Sequence, residues 1–196
     1  MDPARIADLE LCLAKDLIVE RGYYEVMTNR VVIQAGLSPG LAQAVYVHEL
    51  RHLHQNELGI CPTVELAMGD YAQAVLAMEA DASVVSLVTA WRLRTAGIPF
   101  MWEALANWPM QQDLVAVFKE VIVESGDPAL AASGAFEQWY KSKDRRQAYY
   151  ISVCSDYLDR LEEAHLMQRY NTLSPQFFVD LCILPDGTRY SCSGEQ

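Results

Sequence analysis

The sequence predicts a mainly α-helical chain with a small β element, an α+β fold in a single domain over residues 1–196. Three observations carry that expectation. Apolar residues recur at helical spacing through much of the chain, as in Leu114, Val117, Phe118, Val121 and Ile122. A β-branched run, Val31-Val32-Ile33, follows the aromatic pair Tyr23-Tyr24, with Thr28-Asn29 suited to a turn between them. A length of 196 residues at 52% apolar content is enough to bury one substantial core, and no repeat or low-complexity linker divides it.

Residues 3–21 space Ile6, Leu9, Leu13, Leu17 and Ile18 along one face, which predicts an amphipathic helix ended by Gly22. Residues 23–27 and 30–34 predict two short strands or a hairpin. Gly36, Ser38, Pro39 and Gly40 then break the chain, with Ser38 as N-cap and Pro39 in the first turn of a helix over 41–55. Residues 56–62 read as a loop, and Thr63 is placed to cap the next helix. Between Tyr71 and Trp91 only Glu79 and Asp81 are charged, so this helix is apolar all round and expected to be buried. Ile98-Pro99 and Trp108-Pro109 bracket a short helix. Residues 110–124 form a core helix stopped at Ser125-Gly126-Asp127-Pro128, and 136–167 form one long or two shorter helices rich in Tyr. The basic cluster Lys141, Lys143, Arg145 and Arg146 reads as a solvated helix start. Residues 177–184 look strand-like, 185–188 form a turn, and 189–191 return as a second strand; the tail 193–196 is expected to be disordered. The chain is thereby organised as a core region about 30–95, a helical scaffold about 98–170 and a C-terminal strand or hairpin about 176–192.

The chemistry is concentrated in Val47-His48-Glu49-Leu50-Arg51-His52-Leu53-His54, where the first two histidines frame H-E-x-x-H. On a helix His48 and His52 lie one turn apart, so both imidazoles can converge on one divalent ion. Glu49, rotated by about 100°, suits a carboxylate that takes a proton from water. Zinc is the expected ion, because two imidazoles and a carboxylate leave a fourth position for water, which the metal acidifies. Glu79 is the expected third ligand: an unpaired carboxylate on a buried helix costs several kcal/mol, on the order of 3–5, and a metal compensates it. Asp81 and Glu65 are the substitutes. Asp81 points to another face and is expected either to accept the outer N–H of His48 or His52, or to pair with Arg51 or Arg92. Tyr149, Tyr150 and His165 are candidates for stabilising an oxyanion. His54 faces away and reads as a surface residue.

His48-Glu49-Leu50-Arg51-His52 followed by Met78-Glu79-Ala80-Asp81-Ala82 resembles the active-site pair of gluzincin-type zinc metallopeptidases. More narrowly it is similar to small bacterial metallopeptidase-type domains in which an H-E-L-R-H helix precedes an E-A-D-A helix. The resemblance covers about residues 30–95. It implies a zincin-like core of two packed ligand-bearing helices, with His48, His52 and Glu79 as zinc ligands and Glu49 as general base.

Net charge is −11, from 26 acidic and 15 basic residues, which opposes binding to nucleic acid or an anionic membrane. A peptide or protein substrate is the expected partner. Five cysteines (Cys12, Cys61, Cys154, Cys182, Cys192) form no C-x-x-C pair and read most simply as reduced thiols, the alternative being a disulfide between Cys182 and Cys192, which flank the expected hairpin. The first residues lack a signal-peptide pattern, and no long uninterrupted apolar run suggests a membrane span. The expected location is the cytoplasm. Together these readings point to zinc-dependent peptide hydrolysis with Glu49 as base. The competing reading is an inactive metallopeptidase-like binding or regulatory protein, motivated by the charged Arg51 inside the motif; a closed four-ligand site drawing on Asp81 or Cys61 would favour it.

Overall fold

The computed structural model describes residues 3–17 and 20–192. It is mostly helical (61%) with one three-stranded sheet, the α+β class expected. The N-terminal segment departs from the expected amphipathic helix: only α1 (Pro3–Ala7) is helical, and β1 (Glu10–Ala14) follows. Two further strands, β2 (Gly22–Glu25) and β3 (Arg30–Gln34), form the expected antiparallel hairpin, with Asn29 at positive φ in its turn. The sheet order is β1-β3-β2, with β1 parallel to β3. The physical reason for the correction lies in β3. Val31, Val32 and Ile33 are all buried, so this strand is central and both of its polar edges need partners. The hairpin satisfies one edge, and residues 10–14 are drawn out of helix to satisfy the other.

Ser38 caps α2 (Pro39–Glu57), its side chain accepting from the Leu41 amide, with proline in the first turn as expected. Thr63 caps nothing: its carbonyl closes a turn with Leu66, and α3 (Met68–Thr95) starts later, at an N-cap of Ala67. α3 is long and apolar enough to cross a bilayer by length and composition, yet 78% of its apolar window is buried by the rest of the chain. It is the axis of the molecule, packed against α2, α4 (Phe100–Asn107), α6 (Pro128–Lys141), α7 (Lys143–Glu163) and α8 (Gln176–Leu181). α5 (Gln112–Ser125) ends on Gly126 in the left-handed conformation and packs on α6, which opens on an Asp127 cap. Ser142 separates α6 from α7 and caps the latter. Arg145 departs from the solvated start expected of the basic cluster: it is buried against Trp139 and paired with Asp113 at 2.6 Å.

The C-terminal strand also needs correction. Residues 176–181 form α8, because Phe177 and Leu181, one turn apart, both bury against the core. The turn at Gly187 is as expected, but the return is a single bridge between Ile183 and Arg189. Residues 193–196, read as a disordered tail, lie outside the described residues.

Gly40 lies where α2 crosses α4, and a Cβ there would overlap the Phe100 carbonyl oxygen. Gly40→Ala is therefore expected to destabilise the fold by about 1–3 kcal/mol through overpacking, read as a lowered urea midpoint at unchanged slope.

Candidate metal centre

α2 and α3 pack side by side, and each contributes to one convergent group. His48 and His52, on successive turns of α2, approach edge-on at 76° with ring centroids 4.8 Å apart. Glu79 of α3 faces both. Its Oε2 lies 3.2 Å from His48 Nε2 and its Oε1 lies 3.3 Å from His52 Nε2, while the two Nε2 atoms are 3.1 Å apart. These three are the group of described residues able to hold a metal ion. Ligands about 2.0–2.1 Å from a tetrahedral ion stand about 3.3–3.4 Å from one another, so the observed spacing fits a single ion. All three side chains keep 18–19% of their surface exposed, which leaves one side open.

The direction of His52 is set by chemistry behind it. Gln55, fully buried one turn later, donates its amide N–H groups to the Met78 carbonyl at 3.1 Å and to Asp81 Oδ2 at 2.7 Å. Both partners are acceptors only, so Gln55 Oε1 must face His52 Nδ1, which it does at 2.8 Å. Nδ1 then carries the hydrogen, and in the neutral ring Nε2 presents a lone pair to Glu79 and His48. Two ring nitrogens and a carboxylate thus converge on one point, where a proton on His52 or a divalent cation can satisfy the carboxylate.

The electrostatics agree. Burial disfavours charged His52, but the Glu79 carboxylate outweighs it and lifts the imidazole pKa to about 9. Burial pushes Glu79 up, and His52 and His48 reverse this, holding it well below the usual carboxylate range. Glu49, 6% exposed, forms no hydrogen bond with another described residue; burial raises its pKa, against the opposing pull of His48 and His52. Its Cγ lies under Gly22, where an added Cβ would sit 3.6 Å away. The edge strand β2 therefore passes directly over Glu49.

Asp81 differs from the first expectation. It accepts from neither imidazole; the alternative pairing with Arg51 is what the structure shows. Arg51 Nε donates to Oδ2 at 2.6 Å and Nη2 to Oδ1 at 3.1 Å, both residues being buried. Asp81 reaches His52 only through Gln55. Arg51 Nη2 also donates to the carbonyls of Leu181 and Ile183, at 2.7 and 3.1 Å, so the charge inside H-E-x-x-H binds the C-terminal segment to α2. His54 is no free surface residue either. Its Nδ1 lies 2.7 Å from Arg51 Nη1, and burial and that guanidinium lower its pKa, so the neutral ring accepts.

Of the oxyanion candidates, the structure brings one to the site. Tyr149 packs on Trp139 and lies beside Glu79, whose charge, with burial and Glu49, raises the phenol pKa and keeps its O–H in place. Tyr150 is 48% exposed and turned toward Cys154. His165 sits exposed in the turn after α7, at positive φ. Glu65 pairs with Arg169 at the surface, and Cys61 stands outside the cluster. Sequence reasoning missed Gln55 and Tyr190. The i, i+3 spacing from His52 signals the first; no local pattern signals the second, which donates to Asp81 Oδ1 at 2.6 Å from 109 residues away. The expectation of five reduced thiols is corrected too: Cys182 and Cys192 are joined, with Cα atoms 6.1 Å apart.

Neither the curated proteins nor the solved structures contain a match to the chain. A family model does match, over residues 3–192. On that match, and with a His-His-Glu group able to hold a metal ion, the chain belongs to the family described as "Putative metallopeptidase family (DUF6782)".

Proposed function

We propose that the protein is a zinc-dependent peptidase acting on extended peptide segments, with His48, His52 and Glu79 as ligands. The observation that carries this reading is the spacing of three ligand atoms at 3.1–3.3 Å beside a buried Glu49 that has no hydrogen-bonding partner among the described residues. A divalent ion held there supplies Lewis acidity toward a carbonyl and acidifies water. Glu49, its pKa raised by burial, takes a proton from the attacking water and passes it to the departing amine. Tyr149, kept protonated by the carboxylates around it, donates to the oxygen that gains charge. β2 is the edge of its sheet, and a peptide added along it by main-chain hydrogen bonds would run past Glu49. The absence of side chain at Gly22 leaves that approach low.

In the inactive reading zinc is structural or absent, and a structural ion is normally closed by four protein ligands. Among the described residues only three converge, and their open side favours turnover.

Metal content of purified protein, measured by mass spectrometry, tests the assignment. About one zinc per chain is expected in the wild type and none in His48→Ala or Glu79→Gln; a zinc-free wild type after zinc is supplied would remove the reading. The affinity should also follow pH. With the His52 pKa raised to about 9, a proton competes with metal at neutrality, so affinity should rise roughly tenfold per pH unit from pH 7 and level off above 9.

A further inference from the structure

We propose that the loop closed by Cys182–Cys192 is a positioning element of the metal centre, with Tyr190 as its working residue, so that opening the disulfide weakens metal binding. The inference rests on the metal-binding reading above. Asp81 is the junction. Each of its oxygens has two donors: Arg51 Nη2 and Tyr190 on Oδ1, Arg51 Nε and Gln55 on Oδ2. The Arg51 fork grips both oxygens but is itself anchored, through Nη2, to the carbonyls of Leu181 and Ile183 beside the loop. The loop therefore holds the ion pair from two sides. With Oδ2 fixed, the Gln55 side chain, whose amide is oriented by the Met78 carbonyl as well, is held in place, and its Oε1 keeps the His52 ring aimed at Glu79.

Tyr190 is held by its own loop and by α6, where Ser133 accepts from the neighbouring Ser191 amide at 2.9 Å. The Tyr190 amide donates to the Cys182 carbonyl at 3.2 Å, the bridge between Ile183 and Arg189 precedes it, and its ring rests on Phe136. No helix or named strand contains it. The disulfide ties the two ends of this ten-residue separation, and both cysteines are buried. Opening proceeds by thiol–disulfide exchange with a dithiol: its thiolate attacks one sulfur, the S–S bond breaks to a mixed disulfide, and its second thiol displaces the other cysteine. Two protein thiols form and the dithiol becomes a disulfide, two electrons and two protons having moved. The free loop lets Tyr190 leave Asp81, the carboxylate and the Gln55 side chain that donates to it gain room to shift, and the hydrogen bond that orients the His52 ring toward the site loosens. Loss of such supporting partners costs about 10–100-fold in metal affinity. Acting two bonds further back, the loop should account for roughly tenfold.

The test is zinc affinity by competition with a chromophoric chelator. It compares oxidised wild type, wild type reduced with a dithiol and then freed of it without air, Cys182→Ser/Cys192→Ser, and Tyr190→Phe with the disulfide intact. Tyr190→Phe keeps the ring and loses only the hydroxyl. Roughly tenfold weaker zinc binding is expected in all three altered forms, together with faster solvent exchange of the His52 Nδ1–H proton in NMR spectra. Affinities within about twofold of one another would overturn the proposal and leave the metal site standing, as would loss confined to the cysteine variant. If that variant does not fold, the reduced wild type and Tyr190→Phe decide. If oxidised wild type binds no zinc, the metal-site reading fails and the proposal falls with it.

Discussion

Glu49→Gln is expected to lower peptide hydrolysis by about 10²–10⁴-fold, the range for losing a general base, while metal content stays at wild-type level. The amide keeps the shape of the carboxylate but cannot accept the proton. A second effect should accompany the first. Glu49 is buried and without a hydrogen-bonding partner among the described residues, so removing its charge also removes a desolvation cost. The variant should melt higher than the wild type. Lost activity with raised stability would mark a side chain kept for chemistry at the expense of the fold. Full activity in Glu49→Gln would end the proposed mechanism.

Asp81→Ala carries the largest expected effect on stability. It leaves the Arg51 guanidinium, 3% exposed, without its anion, and breaking a buried pair from one side costs about 3–5 kcal/mol. Urea unfolding followed by circular dichroism would register it. The double replacement Arg51→Met/Asp81→Leu is expected to recover most of the loss, because the expensive state is one buried charge alone. Equal destabilisation in the single and double variants would mean that the pair supports the fold through more than charge compensation.

The parts of this molecule that were legible in the sequence are those whose cause is local. H-E-x-x-H places two imidazoles on one helical face wherever the helix forms, and Ser38-Pro39 announces that helix one residue before it starts. Glu79 was legible by contrast, as a charge on a helix with no wet face. Asp81 was legible to the same degree, and its partner was not: whether it meets a histidine or an arginine depends on how α2 is rotated against α3, which no single helix encodes. Arg51 looked foreign to the motif because its acceptors, the Leu181 and Ile183 carbonyls, lie 130 and 132 residues away. The strand β1 was hidden for a similar reason. Its leucines suit a helix, and only the unpaired edge of β3 makes a strand of them.

The character of α3 has a consequence for the order of synthesis. This 28-residue helix emerges from the ribosome well before two of the helices that cover it, α6 and α7, which end at Lys141 and Glu163. At about 5–20 residues per second, its apolar surface waits several seconds for that cover. During the wait it has the length and composition of a segment that a translocon accepts. Glu79 and Asp81 sit mid-segment, where an aspartate alone opposes insertion by about 2.5–3.5 kcal/mol. Replacing both with apolar residues would remove that opposition, and the membrane-associated fraction of the nascent chain is expected to rise in the double variant over the wild type.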